Sequence, residues 1–216
     1  MKRGVTIFSM MFFLVGMCGF ANAYTIGYDY ASDGNGGYTT NVNGAIVETF
    51  DNANLLWSWS GDYNVVSGSS SHYSAPYGVS DKETTKYVTV PYNTSNGAAT
   101  VTKLNGTYNY FGLWWGSVDS YNTLDFFNNG QMVATINGSD IANPANGAQF
   151  NNLTNLYVNL YDLPGFDSFE MKSTQYAFEA DNIAVGVSPT PEPSTLLLLG
   201  IGLVGLALYS RKRLQA

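Results

Sequence analysis

Sulfur nucleophiles, histidine and positive charge are what this chain of 216 residues has least of. Its single cysteine is Cys18 and its single histidine is His72. Cys18 lies in an apolar N-terminal run that reads as removed on export. The mature chain is therefore expected to have no thiol, which excludes disulfides and thiol catalysis. One histidine without a cysteine also excludes the usual zinc ligand sets. Of nine basic residues, five sit at the two ends. Between them only Lys82, Lys86, Lys103 and Lys172 face fifteen acids, a net charge of −11. A basic surface for nucleic acid is excluded.

Long apolar runs are equally scarce. The first follows Met1-Lys2-Arg3, runs from Val5 to Phe20 and ends in Ala21-Asn22-Ala23. A short basic start, an apolar stretch and small residues at Ala21 and Ala23 predict a secretory signal peptide over 1–23, cut by signal peptidase before Tyr24. Met17 before Cys18 is too large for a lipoprotein cleavage pocket. The second run, Pro193 to Ser210, is uncharged, and Arg211-Lys212-Arg213 follows at once. Eighteen helical residues reach roughly 27 Å, enough to cross a hydrocarbon core. The basic stop tail stays cytoplasmic, so the body is expected outside the inner membrane, the side to which the secretion machinery delivers it.

Gly200-Ile201-Gly202-Leu203-Val204-Gly205 spells G-x-G-x-x-G. No strand precedes it and no acid can follow at the right distance, so it is not a dinucleotide site. Glycine is common in spanning helices.

Pro191-Glu192-Pro193-Ser194, the adjoining apolar helix and Arg211-Lys212-Arg213 together resemble the PEP-CTERM sorting signal. The resemblance implies recognition of Pro191, Glu192 and Pro193 by an exosortase, a membrane cysteine protease-transpeptidase. It further implies transient anchoring, then delivery to the outer surface or extracellular polysaccharide of a Gram-negative bacterium. Three domains are expected: signal peptide 1–23, body 24–188 and sorting signal 189–216.

The body reads as all-β. Lys86–Val90, Asn122–Phe127, Gln131–Ile136 and Leu156–Leu160 are short and β-branched or aromatic. Asn128-Asn129-Gly130 predicts a hairpin turn. Gly, Asn and Ser clusters recur at about ten-residue steps, the rhythm of a sandwich or barrel. No 3.6-residue pattern precedes the C-terminal run. The expected architecture is an antiparallel β-sandwich, jelly-roll-like. The stretch Tyr110 to Leu124, then Gly138-Ser139-Asp140 and Ala177-Phe178-Glu179-Ala180-Asp181-Asn182, also resembles a pattern among PEP-CTERM surface proteins of proteobacteria. That resemblance bears on fold and location and implies no activity.

Candidate chemistry is sparse. His72 lies among serines with no G-x-S-x-G turn nearby, so it reads as a solvated loop residue. Glu170 with Glu179, or Asp119 with Asp125, would be the carboxylate pairs of a glycosidase; solvated faces are the plainer reading. Calcium is the more credible ligand. Asp29 and Asp33, in a glycine-rich loop through Gly37, and Asp181 near the last strand are the candidate oxygen ligands, though the loop is not an EF-hand. Leu55, Trp57 and Trp59 share one face and read as core. Trp115 shares a face with Phe111 and Leu113 and reads as core too. Tyr110 and Trp114 lie on the opposite face, where they are either covered or form an apolar platform for a sugar ring. Asn-x-Ser/Thr triplets at Asn93, Asn105, Asn137 and Asn152 read as polar turns. The chain is expected to be a non-enzymatic surface or matrix protein associated with exopolysaccharide or biofilm. A carbohydrate-binding, lectin-like module is the second reading and a secreted glycosidase the third.

Overall fold

The β-branched and aromatic runs of the body extend into strands. The computed structural model describes residues 24–79, 81–188 and 200–203. The expected signal peptide with Ala21 and Ala23 lies outside the described residues, as do Pro191, Glu192, Pro193, Arg211, Lys212 and Arg213. Residues 200–203 are helical. Among the described residues no helix is long and apolar enough to cross a membrane.

Six short strands come first: β1 (Thr25–Gly27), β2 (Ala31–Ser32), β3 (Tyr38–Thr39), β4 (Ile46–Glu48), β5 (Trp59–Gly61) and β6 (Asn64–Val66). Mostly longer ones follow: β7 (Tyr87–Val90), β8 (Gly97–Val101), β9 (Tyr110–Gly116), β10 (Asn122–Asn128), β11 (Gln131–Asn137), β12 (Leu156–Tyr161), β13 (Ser168–Ser173) and β14 (Phe178–Gly186). One helical turn, α1 (Gly138–Ile141), leaves β11.

The larger sheet runs β1-β12-β9-β14-β7-β6, with β4 also paired to β14. The smaller runs β11-β10-β13-β8-β5, and β2 with β3 forms a separate hairpin. Every ladder is antiparallel. The expectation of antiparallel sheets is met; seven plus five strands exceed the eight of a simple jelly roll. The β10–β11 turn is the expected one: Asn129 and Gly130 have φ of 50° and 74°, the left-handed pair a two-residue hairpin needs.

The core lies between the two sheets. Phe111 and Trp115 of β9 share it with Phe126 of β10 and Phe169 of β13. Ring centroids of Phe111 lie 5.0 Å from Phe126 and 4.9 Å from Phe169, edge to face. Trp115 stacks on Phe178 at 4.2 Å. Trp57 is buried in this core, with Leu55 and Trp59 packed against it, while Leu56 points outward.

The central strand β14 breaks the simple alternation. Phe178 and Ala180 face the core before a bulge, Ile183 and Val185 after it. The register slips between Asp181 and Ala184, and Asn182 takes a φ of 48°. At the same point the neighbour on the other edge changes from β7, opposite 178–180, to β4, opposite 183–185. The outer face of the larger sheet is covered rather than solvated. The β2–β3 hairpin lays Tyr38 over Trp114, with ring centroids 5.2 Å apart.

Candidate functional site

Three acids from distant parts of the chain meet beneath that cover. Asp33 comes from the β2–β3 turn, Glu83 from the segment before β7, and Asp181 from the bulge of β14. Their ligand oxygens all lie within 4.8 Å of one another.

Each acid is held by its own local structure. Asp33 closes an Asx-type turn, its Oδ1 accepting from the Asn35 and Gly37 amides at 2.7 and 2.9 Å. Its Oδ2 is left for the cluster, 3.4 Å from Asn182 Nδ2. Asn182 also donates to the Tyr38 carbonyl at 3.0 Å, tying the hairpin to the bulge. Glu83 Oε1 accepts from the Thr84 and Thr85 amides and the Thr85 hydroxyl, at 2.9, 2.9 and 2.7 Å. That saturates one oxygen and aims the other inward. Glu83 Oε2 and Asp181 Oδ1 are buried with no hydrogen-bond partner. Gly37 makes the approach of these groups feasible: a Cβ there would strike the Trp114 ring and the carboxylates of Asp33 and Glu83.

Burial pushes the Asp181 carboxyl well above its usual range. Repulsion from Glu83, Asp51 and Asp33 adds to the rise, against an Asn182 backbone hydrogen bond that lowers it. Among the described residues the one ion pair, Lys172 Nζ to Asp125 Oδ2 at 2.8 Å, lies in the other sheet.

Two of the three sequence-expected calcium ligands, Asp33 and Asp181, are thus brought together. Asp29 is not among them. It is exposed, accepting from Asn41 Nδ2 at 2.6 Å, and its backbone carbonyl accepts from Asn159 Nδ2. The chain turns away between Asp29 and Asp33, so proximity in sequence does not carry it inward. Sequence reasoning missed Glu83, which lies about fifty residues from one partner and a hundred from the other. No spacing rule reaches it.

The sugar platform also needs correction. Tyr110 and Trp114 are fully buried and offer no face to a ring. The Tyr110 hydroxyl pairs with Thr40 Oγ1 and Asn159 Oδ1, both at 2.6 Å. Cover by the β2–β3 hairpin is the physical reason.

A polar cleft of about 160 Å³ adjoins the bulge strand, lined by His72, Asp119, Tyr121, Gln149, Tyr176 and Glu179 among others. His72 is exposed, as the sequence suggested, and its ring stacks on Tyr176 at 4.2 Å. Glu179 is buried; its Oε1 accepts from the Ser74 amide at 2.8 Å and its Oε2 has no partner. Desolvation raises its carboxyl well above the usual range, with Asp119 adding to the rise and Lys82 opposing it. Burial raises Asp119 as well.

The carboxylate pairs that a glycosidase would need do not come together. Asp125 is tied to Lys172, and Glu170 accepts from Thr100 Oγ1 at 2.9 Å. Glu170 and Glu179 belong to different sheets. A larger open groove of about 870 Å³ lies at one end of the smaller sheet, with Thr102, Lys103, Asn105, Asn129 and Asp167 in its wall.

The fold and its buried acids define an all-β domain of two facing antiparallel sheets. At its C-terminal end, residues 189–213 match the family model of the PEP-CTERM protein-sorting motif. The chain therefore carries the sorting signal of an exported protein that an exosortase processes and that this segment anchors transiently in the membrane. No curated protein and no solved structure matches the chain.

Proposed function

We propose that this chain is a non-enzymatic surface or matrix protein of a Gram-negative envelope. An exosortase releases it from the inner membrane into an extracellular polysaccharide layer. The observation that carries the reading is the sorting motif at 189–213, placed directly behind a body that ends with β14. The acidic composition, with Cys18 in the apolar N-terminal run as the one cysteine, supports an export route without oxidative folding. Pro191 and Pro193 donate no backbone hydrogen bond and fix their own φ. Proline biases the residue before it toward extended backbone, a form that suits a protease groove. The apolar run would hold that strand at the membrane surface, with Arg211, Lys212 and Arg213 preventing its slipping outward.

The test is fractionation of native-host cells with the mature mass measured. Replacing Pro191, Glu192 and Pro193 with alanine is expected to leave an intact, membrane-retained chain. Deleting 196–216 is expected to release the body unattached. An alanine variant still trimmed near residue 193 and normally displayed would refute the sorting role.

Carbohydrate binding is the second reading, favoured by the open groove with hydroxyl, amide and charged groups in its wall. A glycan array separates it from a purely structural role. Polysaccharide cleavage abolished by Glu179→Gln would instead bring hydrolysis forward.

A further inference from the structure

The geometry points to a structural calcium site formed by Asp33, Glu83 and Asp181. It lies in the body, so it does not rest on the sorting reading. Three observations converge on it. The ligand oxygens lie within 4.8 Å of one another. Calcium binds oxygen at about 2.3–2.6 Å, so two ligands on opposite sides of one ion stand about 5 Å apart. The spacing fits one ion at the centre. Second, Glu83 Oε2 and Asp181 Oδ1 are buried without a partner, in residues 5% and 1% exposed. A buried carboxylate oxygen left unpaired is costly, and a cation supplies the missing partner for both at once. Third, the remaining oxygens of Asp33 and Glu83 are consumed by backbone amides and the Thr85 hydroxyl. Those bonds fix the carboxylates in orientations that converge, as a prepared ligand set requires.

The donor set selects the ion. Three carboxylates with no nitrogen or sulfur suit a hard cation. Calcium tolerates irregular geometry and several carboxylates, whereas magnesium keeps its waters and demands an octahedron. Extracellular modules hold calcium with Kd on the order of 10⁻⁴–10⁻³ M, the range expected for an exported body. The ion would join the N-terminal hairpin and the segment before β7 to the bulge of β14. It is a staple for a chain without disulfides, and loops this long gain most from such closure.

Trp114 supplies a direct reporter. Its ring and the carboxylates of Asp33 and Glu83 all crowd the side of Gly37, so indole excitation should sensitise terbium bound in the cluster. The experiment uses the full chain, purified in detergent and stripped with chelator. Terbium is expected to luminesce on indole excitation and to be displaced by calcium. Calcium is expected to raise Tm by about 5–10 °C at a hundredfold excess over Kd. Asp181→Asn and Glu83→Gln are each expected to lose both responses and to melt higher than wild type in chelator, because the buried repulsion is relieved. Glu170→Gln, in the other sheet, is expected to keep both. A wild-type chain with no terbium signal and an unchanged Tm across millimolar calcium overturns the site. So does an Asp181→Asn or Glu83→Gln variant that retains the full response. If either variant does not fold, the wild-type titration decides. Magnesium reproducing the whole effect at equal concentration overturns the assignment to calcium.

Discussion

Glu179 and Asp181 leave β14 on the same outer face, two residues apart, and each buries a carboxylate oxygen that has no hydrogen-bond partner. Asp181 points into the three-acid cluster and Glu179 into the polar cleft. One strand thus contributes an unpartnered carboxyl oxygen to both the cluster and the cleft. An alternating strand beneath a cover does this whenever two outward positions are acidic.

Glu179 should make the protein less stable as pH rises. Its folded pKa is raised by burial, so its contribution is fully present below the unfolded value of about 4.3 and is lost as pH rises toward the folded value. Glutamine keeps the acceptor for the Ser74 amide and removes the titration. The Tm difference between Glu179→Gln and wild type is expected to be near zero at pH 4 and to grow in favour of the variant toward pH 8. Thermal melts across that range check it; a difference independent of pH would contradict it.

Gly37→Ala should destabilise by about 1–3 kcal/mol, the usual scale of overpacking. The added methyl meets the Trp114 ring and two carboxylates at once. Urea denaturation is the measurement, with a lowered midpoint at unchanged slope expected. An unchanged midpoint would mean the hairpin does not sit on Trp114.

Asp62 organises the turn after β7. Against a desolvation that raises it, hydrogen bonds from Asn93 and Thr94 draw its carboxyl down to about 2. Backbone amides of Tyr92, Asn93 and Thr94 all donate to it, at 3.2, 2.8 and 3.0 Å. A depressed pKa contributes stability above the unfolded value that is lost as pH falls toward 2. Asp62→Asn is therefore expected to lower Tm at pH 7, with the gap to wild type closing as pH falls from 4 to 2. Amide exchange of residues 92–94 should accelerate in the variant at neutral pH.

Lys172→Met should cost more than the ion pair itself is worth. Asp125 is almost wholly buried, while the Lys172 side chain is 42% exposed. Removing the lysine leaves Asp125 with Thr135 Oγ1 at 2.7 Å as its remaining side-chain donor. A loss of about 1–3 kcal/mol is expected, on the scale of an unsatisfied buried acceptor and tempered by the exposed side of the pair. The double variant with Asp125→Asn should recover part of it, which a double-mutant cycle in urea reads directly.

Much of this protein was legible from residue order alone. The sorting motif, the strands around Trp115, Phe126 and Val158, and the Asn129-Gly130 turn are local patterns, and local patterns report on local conformation and on peptide-reading enzymes. The partition of Trp114 and Trp115 to opposite faces follows from the two-residue period of a strand. The tertiary structure alone decided what lay over each face. It buried Trp114 beneath the β2–β3 hairpin, so the sugar platform was lost to a contact made some seventy-six residues away in sequence. It separated Asp29 from Asp33, brought Glu83 to Asp181, and parted Glu170 from Glu179 into different sheets. These outcomes depend on which loop crosses which strand and on a bulge that changes the facing of β14 just after Asp181. Residue type fixes what a carboxylate can bind, but only the folded chain sets which carboxylates share a site.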